Sequence, residues 1–340
     1  MTSSQIPEQM TAVLLESYEG AAGLRVVQRP VPQPGPKDVL IRVAAAPINP
    51  SDLSFLQGRY GFKKALPTIP GFEGSGTVVA VGSETGLMGR FLLGRRVACV
   101  TQQHGEGLWA EYAVTSMNYA LPLAGAVDLE QGAMSVVNPL TAVALIDSAK
   151  KGGHKAVLNT AGASALGLML HRLGQQEGIE VINIVRQAEQ VTQLKQQGMR
   201  TVLNSSSATF AEELSDLCHG QKIRLAFDAI AGETPQRLLA AMPDHSRVTV
   251  YGNLAQKDVA LNPGGLIFQD KSVDGFWLTR WVGQKNFLQS LLMWRRAQTL
   301  LLSALKTEVR AHYPLAQAPQ AVAEYEATMS GGKVLLVMGD

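Results

Sequence analysis

From Val13 to about Leu123 the apolar positions come in short runs cut by turn residues. Pro34-Gly35-Pro36 precedes Val39-Leu40-Ile41-Arg42-Val43, and a later run reads Gly76-Thr77-Val78-Val79-Ala80-Val81-Gly82. Short runs bounded by Gly and Pro predict β-strands, so this part reads as a compact, mostly β domain. After Asp128 the rhythm changes to apolar strands separated by helix-length segments, the pattern of a parallel sheet with crossover helices. Ala156-Val157-Leu158-Asn159 is followed by a small-residue turn and a helix ending near Gly174. Val181 to Val185 comes next, then a helix stopped by Gly198, then Thr201-Val202-Leu203. Ile223 to Phe227 runs into Asp228, and Arg247 to Tyr251 into Gly252. Five strand-helix units in this order predict a doubly wound (Rossmann) α/β sheet. The last apolar run, Lys333 to Val337, is expected to return to the first domain.

Composition sharpens this picture. The 340 residues, 46% hydrophobic and 17% charged, are enough for two folded domains. The expected division is a β-rich domain over 1–127 plus 308–340 and a nucleotide-binding domain over 128–307, with a ligand in the crevice between them. A net charge of +2, from 30 basic and 28 acidic residues, excludes the dense cationic footprint of a nucleic-acid binder and leaves a small molecule as the expected substrate. Cys99 and Cys218 cannot build a disulfide framework or a four-cysteine zinc lobe. His104 lies in a loop near Gly105 and Gly107, and His154, His171, His219, His245 and His312 form no ligand spacing, so no metal is expected. Met1 to Met10 lacks the basic start and apolar stretch of a signal peptide, and no run approaches the roughly 20 apolar residues of a membrane span. The expectation is a cytoplasmic protein without a membrane partner.

Candidate chemistry starts at the turn Thr160-Ala161-Gly162-Ala163-Ser164-Ala165-Leu166-Gly167. Small residues there let backbone amides approach a pyrophosphate at a helix N-terminus, although they also serve tight helix-sheet packing. Arg186 ends the second strand, where an NAD site usually places an acid against the ribose hydroxyls. A guanidinium can instead hold a 2′-phosphate, or simply be solvated.

The segments Asn49-Pro50-Ser51-Asp52, Gln57-Gly58-Arg59-Tyr60-Gly61, Gly71-Phe72-Glu73-Gly74 and Val79-Ala80-Val81-Gly82 resemble the catalytic-domain signature of medium-chain dehydrogenase/reductases, whose domain is GroES-like. Zinc alcohol dehydrogenases of that superfamily carry a cysteine near the position of Asn49 and a histidine where this chain has Phe72. The resemblance therefore implies a zinc-independent member. Asn138-Pro139-Leu140-Thr141-Ala142, Tyr251-Gly252-Asn253-Leu254 and Gly275-Phe276-Trp277-Leu278-Thr279-Arg280-Trp281 are most similar to mitochondrial-type 2-enoyl thioester reductases, next to quinone oxidoreductases.

The resemblance implies that Tyr60 is catalytic and that Asn138, Ala163, Ser164, Ala165, Leu166, Arg186, Tyr251, Gly252, Asn253, Leu254, Phe276, Trp277, Leu278, Thr279 and Lys333 contact NADPH. Ala188 stands where the family often has a second basic residue. Read on its own, Tyr60 is a phenol that donates at neutral pH, or a packing residue in a turn. Trp277 is expected in the pocket, with Trp281 left open between core and interface. The implied activity is NADPH-dependent reduction of an activated C=C bond, most closely a trans-2-enoyl thioester. The alternatives are an NADPH:quinone oxidoreductase and a non-catalytic NADPH-sensing binding protein. A homodimer is implied on the same basis.

Overall fold

The computed structural model describes residues 6–101 and 103–339. The first five residues, on which the reading of the N-terminal leader partly rests, lie outside the described residues. The chain divides into two compact units, residues 1–137 with 306–340 and residues 138–305.

In the first unit, strands β1 (Gln9–Leu15) and β2 (Leu24–Pro30) pair as an antiparallel ribbon. Strands β3 (Asp38–Pro47), β4 (Glu73–Val81), β5 (Arg96–Val100), β6 (Tyr112–Ser116) and β7 (Ala120–Pro122) follow along the chain. The second unit contributes β8 (Ala156–Asn159), β9 (Glu180–Val185), β10 (Val202–Asn204), β11 (Leu225–Asp228), β12 (Arg247–Val250) and β13 (Ser272–Gly275). The chain then returns to the first unit through β14 (Val309–Pro314) and β15 (Lys333–Val337). There the sheet runs β14-β15-β3-β4-β5-β7, with β6 on β3. Leu335 to Val337 pairs antiparallel with Ala45 to Pro47, so the C-terminal strand returns as its apolar run predicts. Phe55, Ile69, Trp109, Val334 and Leu336 are among the residues filling this unit's core.

The sheet of the second unit is six-stranded and parallel, in the order β10-β9-β8-β11-β12-β13. Helices cover its faces, which is why Val157, Leu158, Ile182 and Ile184 are buried in succession rather than alternating with polar residues. The strand order reverses between β8 and β11. Ligands of such sheets sit outside the carboxyl ends of the strands at this reversal. Five strands were expected and six are present, because Ser272-Val273-Asp274-Gly275 carries no apolar run. Its pairing with β12, in register from Arg247 opposite Ser272, makes it a strand.

Candidate active site

The second unit gathers most of the expected cofactor residues at the carboxyl edge of its sheet. The 163–166 turn follows β8, Arg186 follows β9, Tyr251 to Leu254 follow β12, and Phe276 to Thr279 follow β13. Asn138 is half-buried near the start of the helix Val137–Lys151. Ser164 caps the helix Ala165–Glu177, its hydroxyl accepting from Gly167 N at 3.1 Å. A Cβ on Gly162 would lie 2.5 Å from Asn183 Cβ, and one on Gly167 would lie 2.5 Å from Gly162 O. The small residues are thus required by close packing of turn, helix and β9, and they leave the amides before the helix unshielded by side chains. Arg186 is exposed. Trp277 is 38% exposed, and the Trp281 ring packs 6.4 Å from Phe276 with Lys285 Nζ 3.7 Å over it.

Beneath that edge runs a ladder of buried polar groups with no assigned role in the sequence reading. Thr160 Oγ1 donates to Asp228 Oδ1 at 2.7 Å and accepts from Ala229 N at 2.8 Å. Asp228 also accepts from Ala231 N at 2.7 Å and Ile230 N at 3.2 Å. Burial raises its carboxyl above the usual range despite these donors. Asn159 Nδ2 donates to Asn183 Oδ1 at 2.9 Å, and Tyr251 Oη donates to Asn159 Oδ1 at 3.4 Å. The ladder ties the loops after β8, β11 and β12 to one another. Asn183, inside Val-Ile-Asn-Ile-Val, was the available signal: a polar side chain in a strand buried on both faces needs a partner.

The first unit holds a second buried cluster, of charged groups. Asn49 N donates to Asp52 Oδ2 at 2.8 Å, and Phe72 N donates to Asp52 Oδ1 at 3.0 Å. Asn49 Nδ2 donates to Glu73 Oε1 at 3.0 Å, while Glu73 Oε2 accepts from Val136 N at 3.1 Å and Val137 N at 2.8 Å. Lys333, expected to contact the cofactor, is 1% exposed, and its ammonium donates to Asn49 Oδ1 and to Ile48 O. Burial pushes Asp52 up to about 7 and Lys333 down to about 8, and raises Glu73. The lysine and the two carboxylates partly offset one another.

This cluster sits under Tyr60. The helix Pro50–Leu56 ends as Gly58 takes a left-handed conformation (φ 67°), and Gly58 N bonds Phe55 O while Arg59 N bonds Ser54 O. The chain then brings Tyr60 against Phe72, with ring centroids 4.7 Å apart, and against Phe62 at 5.1 Å, edge to face. Asp52 holds Phe72 by its backbone, so the buried carboxylate positions the ring on which Tyr60 rests. Tyr60 is half-buried, a position from which a phenol can meet a ligand.

The alcohol dehydrogenase GroES-like domain model matches residues 35–125, and the zinc-binding dehydrogenase model matches residues 165–294. The mitochondrial enoyl-[acyl-carrier-protein] reductase of Dictyostelium discoideum is 31% identical over 261 residues, which is 73% of this chain and 71% of that protein. A candidate NADPH:quinone reductase from Mesorhizobium loti is 37% identical, with 98% of this chain and 99% of that one covered at a TM-score of 0.88. A mycobacterial protein solved with NADPH is 25% identical over 96% of this chain and 99% of its own, at a TM-score of 0.84. Two domains of this kind, one GroES-like and one a nucleotide-binding Rossmann sheet, define a two-domain dehydrogenase. The chain belongs to the medium-chain dehydrogenase/reductase family of oxidoreductases.

The matched family implies a zinc ion, and the residues present do not fit one. Asn49 spends both ends of its amide on Glu73 and Lys333, and Phe72 offers a ring. Among the described residues no group of three His, Cys, Asp or Glu could hold a metal. An ammonium directed at Asn49 opposes a cation there.

Proposed function

We propose that the chain is a zinc-independent, NADPH-dependent reductase of a C=C bond conjugated to a carbonyl, with a trans-2-enoyl thioester as substrate. The observation that carries this reading is the Tyr60 phenol held on the Phe72 ring at the surface of the GroES-like unit. Its support is the sequence similarity to an enoyl reductase. NADPH, when bound, supplies the hydride. The packed turn at Gly162 and Gly167, and the exposed guanidinium at Arg186, fit its pyrophosphate and 2′-phosphate. Ala163 to Leu166, Tyr251 to Leu254, Phe276 to Thr279 and Asn138 would line the nucleotide, whereas Lys333, expected with them, is buried with its ammonium on Asn49 and Ile48 and is left out of the set. Tyr60 donates a hydrogen bond to the thioester oxygen as negative charge develops there, or delivers the proton to the α-carbon.

A second reading, reduction of a quinone, is favoured by the 37% identity over nearly the whole chain to the Mesorhizobium loti protein. Loss of NADPH absorbance with a trans-2-enoyl coenzyme A and a small quinone in parallel separates the two. Faster turnover of the quinone would discard the enoyl reading. Tyr60→Phe should lower enoyl turnover about 100-fold while leaving NADPH affinity unchanged. Arg186→Ala should weaken NADPH about tenfold or more and NADH little, and equal losses would remove the 2′-phosphate assignment.

The proposed assembly is a homodimer through β13, which pairs with β12 alone and lies at the end of its sheet. Phe268 (84% exposed) and Phe287 are apolar side chains left open in the same unit. A monomer mass in sedimentation at micromolar concentration would remove that proposal. Among the described residues no helix is long and apolar enough to cross a membrane. A cytoplasmic location is proposed with the activity.

A further inference from the structure

The helix Gly86–Leu92 of the GroES-like unit turns only Gly89 and Leu92 inward. Leu87 is 82% exposed, and Met88, Phe91 and Leu93 are each 50% exposed. Leu87, Met88 and Phe91 stand at the i, i+1 and i+4 spacing of one helix face, and among the described residues no other element covers them. Contiguous exposed apolar side chains of this kind mark a contact surface. The charge near them is mainly positive: Arg90, Arg95 and Arg96 fall between Gly86 and Val97, against one exposed acid, Glu84, just before the helix. The Arg95 guanidinium lies 5.0 Å over the Phe91 ring, and Arg96 donates to Gly125 O at 3.1 Å. These groups border a cavity of about 340 Å³ lined by Phe91, Gly94, Arg95, Arg96, Pro122, Leu123 and Gly125.

We infer that this helix and its arginine-lined cavity dock on an anionic phospholipid surface, the apolar side chains entering the headgroup boundary and the arginines meeting lipid phosphates. Two features favour a bilayer over a protein partner. A seven-residue helix is about 10 Å long, short beside the roughly 28 Å breadth of the ~800 Å² patch that each side of a stable protein interface presents. Its mixture of Leu, Met and Phe with an excess of arginines is the chemistry of interfacial helices, whose basic residues are attracted to anionic lipid. The sequence expectation of no membrane partner considered only spans and leaders, and a peripheral contact falls outside both. The inference does not depend on the reductase reading.

Co-sedimentation of the full chain with vesicles of phosphatidylglycerol and phosphatidylcholine, against phosphatidylcholine alone, tests it. The expected result is binding to the anionic vesicles that falls at least tenfold on phosphatidylcholine and weakens in high salt. Leu87→Ser with Phe91→Ser should remove binding, and Arg90→Ser with Arg95→Ser should reduce it severalfold. Both variants should keep the wild-type circular dichroism and melting temperature. Equal binding by folded wild type and variants would place any lipid contact elsewhere and overturn the inference, as would absence of binding to either vesicle. Self-association of the wild type that the Leu87/Phe91 variant abolishes, without lipid binding, would overturn it in favour of a second copy.

Discussion

Each unit buries a polar cluster against its sheet, and the two solve different problems. In the Rossmann unit, Asp228 is met by three donors, Thr160 Oγ1 and the amides of Ile230 and Ala231, all contributed by loops that leave adjacent strands. Its three partners are neutral donors, and an Asn159–Asn183 bond lies beside them. In the GroES-like unit two carboxylates and an ammonium are buried around one amide, Asn49. A single buried carboxyl met by neutral donors fixes its loops locally. A charged cluster has a large desolvation cost, which is offset here because each member is hydrogen-bonded to another member or to backbone.

The sharpest way to break the comparison is to remove one charge from the second cluster. Lys333→Met should leave Asp52 and Glu73 buried without their cation and lower stability by about 3–5 kcal/mol. Denaturant titration measures this, and proteins equal to wild type would mean the carboxylates are already neutral. In the Rossmann-unit ladder, Thr160→Val removes the donor to Asp228 and the acceptor of Ala229 N while keeping the side-chain shape. The expected loss is about 2 kcal/mol by the same titration. If Thr160→Val costs as much as Lys333→Met, charge is not what distinguishes the clusters.

The two clusters also differ in how far a sequence can announce them. The turn from Thr160 to Gly167 is legible because its small residues, its strand and its helix are contiguous. The strands β8, β9 and β12 are legible from apolar runs bounded by turns. Strand β13 is not, since Ser272 to Gly275 is made a strand by β12 rather than by its own composition. Asn49 and Lys333 meet across 284 positions, and only the return of β15 beside β3 brings them together. Asp52 and Glu73 fall within segments that resemble the family, yet their pattern gives no hint that Phe72 and Asn49 amides converge on one carboxylate. Tyr60 was legible as a residue, whereas the Phe72 platform beneath it depends on folding the Gly58 turn back onto β4.

A slope in pH asks whether the charged cluster is as costly as its burial suggests. Burial pushes Asp52 up to about 7, against the lowering influence of the Asn49 and Phe72 amides. In an unfolded chain the same carboxyl titrates near about 4. Between these values the folded protein keeps a proton that the unfolded chain has released, so stability falls as pH rises, by at most about 1.4 kcal/mol per pH unit. Lys333, pushed down to about 8, acts the other way at higher pH: the unfolded chain alone holds its proton up to about 10.4, and stability rises through that window. Asp52→Asn has no such proton to keep. Its stability should be flatter than wild type from pH 4 to 7, so the advantage of the wild type should narrow as pH rises, measured by denaturant titration at each pH. A wild-type advantage that widens toward neutrality would mean that the two amides and Lys333 outweigh desolvation, and that the fold favours the ionised carboxylate.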